Sequence, residues 1–386
     1  MTRTALAAIL AGALVLLLPV QYDPGGLLRI APSDFLVPPL ILALGLQVHR
    51  RTIPPPLVLL LAWFAVAVAL GAVAIGEFTA YAWLSKGVGL LLLVALAAGV
   101  GTVSVRREEL IRLVRLLVLG AAFLNAIALV EFALTRAGVL DIAFINYGTT
   151  RLSGLLVDPN AYGGLLVAVL FIGLGAQRAG WLGLPALLAP ATFLSLAAGI
   201  ALTSSRSAWM AAVFGLLLLA LLAPRRALGG VTVIVVSLLA IALLTGPAFL
   251  EEAVTLAARR PQIESRLDFL EIAGREFTHS PVFGLGIGYF ESTHGMIVHN
   301  TPAWLLFEAG VVGLVLYLVL VAHALWQGAT AWRAAPPADR AGLVGLLTGF
   351  AAMLGLSLGI EALYQRHWWV LFAWLQIAPV AFRRDG

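Results

Sequence analysis

The chain has no cysteine and few charges. Among its 386 residues the absence of cysteine excludes disulfides and thiolate metal sites. Only 11% of the residues are charged, whereas a typical soluble domain carries about 25%. Because 61% of the residues are hydrophobic, a soluble fold would have too few charges to cover its surface. The composition therefore predicts a protein that faces lipid.

Lysine is almost absent too. Lys86 is the only one, so the net charge of +5 comes almost entirely from arginine. The arginines are scattered over short segments between apolar runs, which does not predict nucleic-acid binding. The first apolar run, 4–20, lacks a small-residue cleavage site and leads directly into further runs. It predicts a retained helix and not a signal peptide.

Apolar runs long enough to cross a bilayer recur along the whole chain. A hydrocarbon core about 30 Å thick needs roughly 20 apolar residues in a helix. We predict an all-α polytopic membrane protein with about twelve transmembrane helices, forming a single integral membrane domain over 1–386 without internal repeats. The runs are 4–20, 33–48, 56–75, 81–100, 113–134, 160–176, 181–202, 207–223, 229–247, 302–325, 341–360 and 367–382.

The basic residues predict the orientation. Cytoplasmic loops of membrane proteins carry an excess of arginine and lysine, and long loops count little. Outside one long loop, fourteen basic residues fall on one side and six on the other, so both termini are predicted to be cytoplasmic. The six are Arg29, Lys86, Arg136, Arg151, Arg206 and Arg366. The fourteen are Arg3, Arg50, Arg51, Arg106, Arg107, Arg112, Arg115, Arg178, Arg225, Arg226, Arg333, Arg340, Arg383 and Arg384.

The long loop, 248–301, is the one sizeable segment predicted outside the bilayer, and it contains an amphipathic pattern. Ile263, Leu267 and Leu270 form one stripe at helical spacing. The charged residues between them form a second stripe. We expect a helix on the membrane surface with its apolar stripe inward.

Two arginines lie near span ends on the outer side. Arg151 opens the segment RLSGLLVDPNAYGG, and Arg206 lies in TSSRSAWMA, where two spans meet with hardly any loop. Each arginine alone fits a side chain that snorkels toward water, and Asp158 fits a helix cap. Two guanidiniums on the same side could instead bind a diphosphate through bidentate, charge-assisted hydrogen bonds.

A histidine and a carboxylate mark the tenth run. His299 and Asn300 directly precede it, at the outer membrane surface. Histidine titrates near neutral pH and suits a general base acting on a sugar hydroxyl. The alternative is a helix cap at Asn300 with His299 as an interfacial bystander. Glu308 lies two turns into the run, and we expect it to face the bundle interior and pair with an arginine or a hydroxyl.

Two other patterns in this region are weaker evidence of a functional site. Gly284, Gly286 and Gly288 alternate, but no strand precedes them, so a tight backbone turn fits better than a nucleotide fingerprint. His294 and His299 are five residues apart and do not share a helix face. Without a cluster of carboxylates or cysteines beside them, they do not predict a metal site.

These segments resemble the O-antigen ligase and polymerase family. His299-Asn300, nine residues, Gly310, two residues and Gly313 fit the pattern H-[N/S/Q]-x9-G-x-x-G. Arg266, followed by the segment PVFGLG at 281–286, resembles the family's R…P-x-x-G-x-G stretch. The two arginine segments resemble its R-x-x-G-x-x-x-x-P-N and S-R stretches. The resemblance covers about 150–313.

The resemblance implies a membrane glycosyltransferase of the GT-C type in the bacterial inner membrane. Such enzymes move a glycan from undecaprenyl diphosphate to an acceptor sugar hydroxyl on the periplasmic side, without metal or cofactor and with inversion. The acceptor is the lipid A core for ligases and another lipid-linked repeat for polymerases. Arg151 and Arg206 would hold the diphosphate with help from Arg266. His299 would activate the hydroxyl, with Asn300 and Glu308 in support.

Other functions stay open at this point. The nine-residue spacing after His299-Asn300 favours a ligase over a polymerase, while ligation of another polymer or of glycans to protein is also compatible. A transporter or lipid flippase also has many spans with few charges. Transporter folds often show repeated halves and midplane charges. Here the halves differ and the notable charges gather at one face.

Overall fold

The computed structural model describes residues 2–22, 30–139, 151–225, 228–229, 231–232, 235, 260–295 and 297–383. For Leu46 and residues 260–268 it describes the backbone alone. The helices within these ranges are α1 Arg3–Leu16, α2 Val37–Leu44, α3 Pro55–Ile75, α4 Tyr81–Val103, α5 Arg107–Arg136, α6 Pro159–Arg178, α7 Leu188–Leu202, α8 Arg206–Leu222, α9 Arg260–Phe277, α10 Tyr289–His294, α11 Thr301–Ala334, α12 Arg340–Ser357 and α13 Arg366–Ala381.

Six of these helices are long and apolar enough to cross a membrane: α3, α4, α5, α6, α11 and α12. Shorter apolar helices accompany them at α1, 32–44, α7 and α8. The protein is therefore an all-helical, multi-pass membrane protein over the part of the chain that the structure describes. The run at 229–247 lies almost entirely outside the described residues, so the count of twelve spans stays a prediction.

Helices α6 and α12 form the centre of the bundle. In α12, 89% of the most apolar window is buried within the protein, against 22% in α3, whose surface is left for lipid. Glycines allow α6 and α12 to approach closely, as small residues do at helix interfaces in membranes. A Cβ on Gly175 would lie 2.6 Å from the Cα of Gly345. Helix α8 packs against the same pair, and α13 packs on α4 and α11.

One end of the bundle is tied together by arginine. Arg107, the first residue of α5, donates two hydrogen bonds to the buried Asp339 carboxylate, at 2.9 and 2.7 Å. The Trp181 indole donates to the same carboxylate at 2.9 Å, and Arg115 donates to the Trp181 carbonyl at 2.8 Å. These bonds connect α5, the segment after α6 and the start of α12.

Helix α11 is broken inside the membrane at Gly310, where φ is 72° and ψ is −176°. A break leaves backbone groups without their partners within the helix, and lipid offers none. Here other segments supply them. The Trp63 indole of α3 donates to the Ala309 carbonyl at 2.8 Å. On the far side of the break, the Val311 amide donates to the Pro281 carbonyl at 3.0 Å.

The segment 281–288, which we call the glycine segment, closes the break. Its Leu285 and Gly286 amides donate to the Phe307 and Glu308 carbonyls at 3.0 and 2.9 Å. Glycine is required because φ is +94° at Gly286, and a Cβ there would collide with the backbone of Gly71 in α3. The expected tight turn is present, and the structure shows that it lies between α3 and the two halves of α11.

The predicted amphipathic helix forms as α9, and residues outside the predicted apolar stripe pack on the protein. Phe269 and Ala273 are buried, and Phe277 packs edge-on against Phe307 with ring centroids 5.8 Å apart. Leu270, on the predicted apolar stripe, is 39% exposed on the protein surface, so its contact with lipid stays a prediction. Helix α9 packs on an aromatic cluster of the protein, where Phe269 meets Phe290 at 5.5 Å. The side chains of Ile263 and Leu267 lie outside the described residues.

We expect Gly286→Ala to destabilise the fold far more than Gly295→Ala. Both glycines have positive φ, 94° and 63°, but a Cβ on Gly295 would meet nothing within 4 Å. Gly295→Ala should therefore cost only about 1–2 kcal/mol of backbone strain. Gly286→Ala adds a collision between backbones and should cost more than about 3 kcal/mol. Thermal unfolding in detergent measures the difference, and equal losses would contradict a close-packed glycine segment.

Candidate functional site

The segment before α6 and the start of α8 meet at the end of the bundle opposite the Arg107–Asp339 pair. The Leu152 amide donates to the Leu202 carbonyl at 3.0 Å. The Arg151 guanidinium donates through Nε to the Thr203 carbonyl at 2.8 Å. Thr203, which binds Arg151, lies three residues before Arg206, the first residue of α8. Both arginines are half-buried.

Asn160 connects the two arginine segments. Its Oδ1 accepts from Nη2 of Arg151 at 3.0 Å and from Oγ of Ser205 at 2.8 Å. Asp158 fixes Asn160 in turn, because its Oδ1 accepts from the Asn160 amide at 2.8 Å and caps α6. Ser205 caps α8 by accepting from the Ala208 amide at 3.2 Å. The Arg151 guanidinium is therefore oriented by several protein partners, which a side chain that only snorkels toward water would not require.

His299 is exposed and directly precedes the cap of α11. Asn300 forms that cap by accepting from the Ala303 amide at 2.9 Å. Its Nδ2 donates to the Leu358 carbonyl at 2.9 Å, and Oγ1 of Thr301 donates to the Ile360 carbonyl at 3.3 Å. The capping role foreseen for Asn300 is present. Beyond capping, Asn300 attaches the start of α11 to the turn that follows α12.

This turn, residues 358–364, lies between the histidine segment and the arginine segments. We call it the outer turn. Its Leu358 carbonyl accepts from Asn300, and its Gly359 is so close to Ser207 that a Cβ would collide with the serine hydroxyl. Ser207 directly follows Arg206. The fold therefore brings the segments that carry Arg151, Arg206 and His299 to one end of the bundle.

Two other predicted residues have different outcomes. Arg266 lies in α9, but its side chain is outside the described residues. Glu308 is 2% exposed and faces the interior as expected, but an arginine or hydroxyl partner was the wrong expectation. Its carboxylate accepts from three N–H donors: the Gly288 amide at 3.0 Å, the Phe290 amide at 3.2 Å and the Trp304 indole at 2.7 Å. It thereby secures the end of the glycine segment to α11.

The sole lysine forms an ion pair that the sequence analysis did not foresee. Lys86, 5% exposed, pairs with Glu361 of the outer turn. Arg366, five residues after Glu361, pairs with Asp34, with Nε 2.6 Å from Oδ1. In the sequence, the one feature that could have drawn attention to Lys86 is that it is the single lysine of the chain and lies at the start of an apolar run.

Tyr364 closes the outer turn. Its hydroxyl donates to the Lys86 carbonyl at 3.0 Å. Burial, together with the carboxylates of Glu361 and Glu308, holds the pKa of Tyr364 well above its usual value. The phenol is therefore neutral throughout the physiological range, and it keeps the proton that this hydrogen bond needs.

The electrostatics at this end favour an anion. Helices α6, α8 and α11 all begin here, at Pro159, Arg206 and Thr301. A helix N-terminus carries roughly half a positive charge. Arg151 and Arg206 add two full positive charges beside two of these termini. A diphosphate is the kind of ligand that guanidiniums and helix N-termini both recognise.

The fold and these side chains define a polytopic helical membrane protein with a cationic, histidine-bearing site at one end of the bundle. Within that class, residues 191–318, about a third of the chain, match the family model described as O-antigen ligase. The match confirms the resemblance predicted from the sequence and supports a membrane glycosyltransferase of the O-antigen ligase or polymerase type. It includes Arg206, His299 and Glu308, whereas Arg151 precedes it. No curated protein matches the chain.

We expect Glu308→Gln to destabilise the protein by about 2–3 kcal/mol. A carboxamide offers one acceptor oxygen in place of two, and its own NH2 group would face the N–H donors that now bind the carboxylate, leaving buried groups unpaired. Glu271→Gln is the matched control, because Glu271 is exposed and its ion-pair partner among the described side chains is the exposed Arg275. The control should cost at most about 0.5 kcal/mol. Thermal unfolding in detergent compares them, and equal melting temperatures would contradict the assigned contacts.

Proposed function

We propose that this protein transfers a glycan from undecaprenyl diphosphate to an acceptor sugar hydroxyl, with the lipid A core as acceptor. The observation that carries the proposal is the convergence of the Arg151, Arg206 and His299 segments on one end of the bundle. The N-termini of α6, α8 and α11, which begin at that end, add to its affinity for a diphosphate. The match to the O-antigen ligase family supports the class of reaction.

The proposed reaction is a direct displacement at the anomeric carbon. The acceptor oxygen attacks C1 of the glycan as the bond between C1 and the diphosphate oxygen breaks, so the configuration inverts. His299 takes the proton from the acceptor hydroxyl as general base. The diphosphate leaves with the bonding electron pair, and Arg151 and Arg206 stabilise its growing charge. Arg266 contributes to diphosphate binding. In this proposal the protein's arginines, and not a metal ion, stabilise the charge on the diphosphate.

Asn300 and Glu308 have positioning roles in this scheme. Asn300 sets where α11 begins and therefore where His299 projects. Glu308 holds the glycine segment against α11 through its three N–H partners. Neither residue needs to touch the substrate for its replacement to lower the rate of transfer, because small misplacements of reacting groups are costly.

The proposed setting is the bacterial inner membrane. The excess of arginine at the end opposite the site supports cytoplasmic termini and a site that opens to the periplasm. About twelve spans and a GT-C-type architecture belong to this proposal. The donor would reach the site from the outer leaflet, and membrane lipids would surround the bundle.

The proposed residues are tested by replacing His299, Arg151 and Arg206 with alanine, one at a time. Each variant is expressed in a strain that lacks its own ligase and carries the pathway of the source bacterium. We expect each to remove most of the O-antigen ladder on a lipopolysaccharide gel, because losing a general base typically costs about 100-fold or more in rate. Membrane immunoblots check that the variants are present in equal amounts.

Arg275→Ala is the matched control for these variants. Arg275 is an exposed arginine outside the spans whose recorded partner is Glu271, and its loss should leave the ladder unchanged. Wild-type ladders in all three site variants would remove the proposed site.

The acceptor needs its own experiment. In the source bacterium, deletion of a ligase leaves long chains on the lipid carrier, whereas deletion of a polymerase leaves single repeats. We expect long carrier-bound chains. Single repeats would reassign the protein as a polymerase with the same site chemistry, and substrate counterflow without glycan transfer in proteoliposomes would indicate a transporter.

A further inference from the structure

The buried ion pair between Lys86 and Glu361 is unusual for its place in the protein. Charges inside a membrane protein are costly and usually have a function. The side chains of Lys86 and Glu361 are 6% and 13% exposed. Lys86 lies in α4, within the π-helical turns of Tyr81–Val88, whereas Glu361 belongs to the outer turn. π-helical turns are rare and often occur at functional sites.

Three aromatic rings surround the lysine ammonium group. Its Nζ lies 4.3 Å from the ring centroid of Tyr364, 4.9 Å from that of Tyr81 and 5.2 Å from that of Trp304. Rings at these distances attract a cation through their electron-rich faces. The rings and Glu361 together fix the position of the ammonium group. Because its ammonium group is enclosed in this way, Lys86 is poorly placed to move and bind a substrate.

The partners of Lys86 lead directly to the histidine. Tyr364 donates to the Lys86 carbonyl, so α4 holds the outer turn at both its middle and its end. The outer turn presents its Leu358 and Ile360 carbonyls to Asn300 and Thr301, the residues that follow His299. Trp304, one turn further along α11, faces Lys86 with its ring and donates to Glu308 with its indole N–H.

The outer turn also reaches the arginine segments. Gly359 is packed against Ser207, the residue after Arg206. A shift of the outer turn would therefore move the start of α11 relative to the start of α8. The distance between the proposed base and the proposed diphosphate site depends on this one turn.

We propose that Lys86 and Glu361 are positioning residues for glycan transfer: their ion pair holds the outer turn and so sets His299 against the diphosphate site. This inference rests on the proposed function. In this role neither residue needs to contact the donor or the acceptor. Loss of the pair should slow transfer and leave binding of the lipid-linked donor largely intact.

The test compares Lys86→Met with the double variant Lys86→Met/Glu361→Gln in nanodiscs that contain purified full-length protein. The double variant removes the buried unpaired carboxylate that the single variant leaves, so it keeps the test valid if the single variant folds poorly. We measure transfer from an undecaprenyl diphosphate glycan to lipid A core, and donor binding separately. We expect transfer to fall about tenfold or more with donor affinity changed by less than about threefold.

Asp339→Asn is the matched control. It breaks another ion pair, between the buried Asp339 and the partly exposed Arg107, at the opposite end of the bundle. It should lower the melting temperature and leave the rate of transfer per folded protein within about twofold of the wild type. If Asp339→Asn slows transfer as much as the lysine variants, general destabilisation explains the effect and the positioning role fails.

A second readout separates positioning from a structural role. If Lys86 acts through His299, the effects of the two substitutions on the rate of transfer should not add. When residues act as a unit, replacing the second has little further effect once the first has been replaced. Lys86→Met added to His299→Ala should leave the residual rate unchanged. A further loss of about tenfold would overturn the inference.

The same assay distinguishes two failures. Wild-type protein that performs no transfer, or His299→Ala protein that transfers at the wild-type rate, would overturn the proposed function itself. An active wild type and an inactive His299→Ala variant, together with a double variant that transfers at the wild-type rate, would overturn only the role of Lys86 and Glu361.

Discussion

The structure depends on one constraint: no backbone amide or carbonyl can be left unpaired inside a lipid bilayer. At Gly310 the helix α11 breaks this rule locally, and two other segments, α3 and the glycine segment, restore the missing bonds. The glycine segment supplies amides on one side of the break and carbonyls on the other. That pairing joins 281–286 to 307–312, the stretch of α11 that contains the buried Glu308 and follows the histidine and its cap. The break in α11 therefore determines the geometry of this part of the candidate site.

The two ends of the bundle use charge differently. At the end opposite the site, Arg107 binds a buried carboxylate and ties helices together. At the site end, Arg151 and Arg206 lie beside helix N-termini, and the acidic groups described there have partners. Glu308 binds N–H donors, Glu361 binds Lys86, Asp34 binds Arg366, and Asp158 caps α6. The result is a surface where two arginines lie next to carboxylates that already have partners within the protein.

The sequence correctly predicted an all-helical, multi-pass membrane protein, because hydropathy follows directly from the need to face lipid. Its motifs around Arg151, Arg206 and His299 also singled out the candidate residues as separate segments, and the family match at 191–318 includes the segments of Arg206 and His299. The roles of these residues stay a prediction. It was less successful with partners. Glu308 was expected to meet an arginine or a hydroxyl. Two of its actual partners, the Gly288 and Phe290 amides, come from a segment about 20 residues away, and the third is the Trp304 indole of its own helix.

Composition and the order of apolar and basic residues alone determined that this is a many-helix membrane protein with its arginines concentrated toward one side. The motif glycines were visible too, but not what they do: Gly310 breaks a helix, and Gly286 lets two backbones approach. Only the tertiary structure decided that Lys86 pairs with Glu361 across 275 residues. The physical reason is that pairing inside the bundle is set by which helices pack together, and a one-dimensional pattern of hydropathy carries no record of that packing.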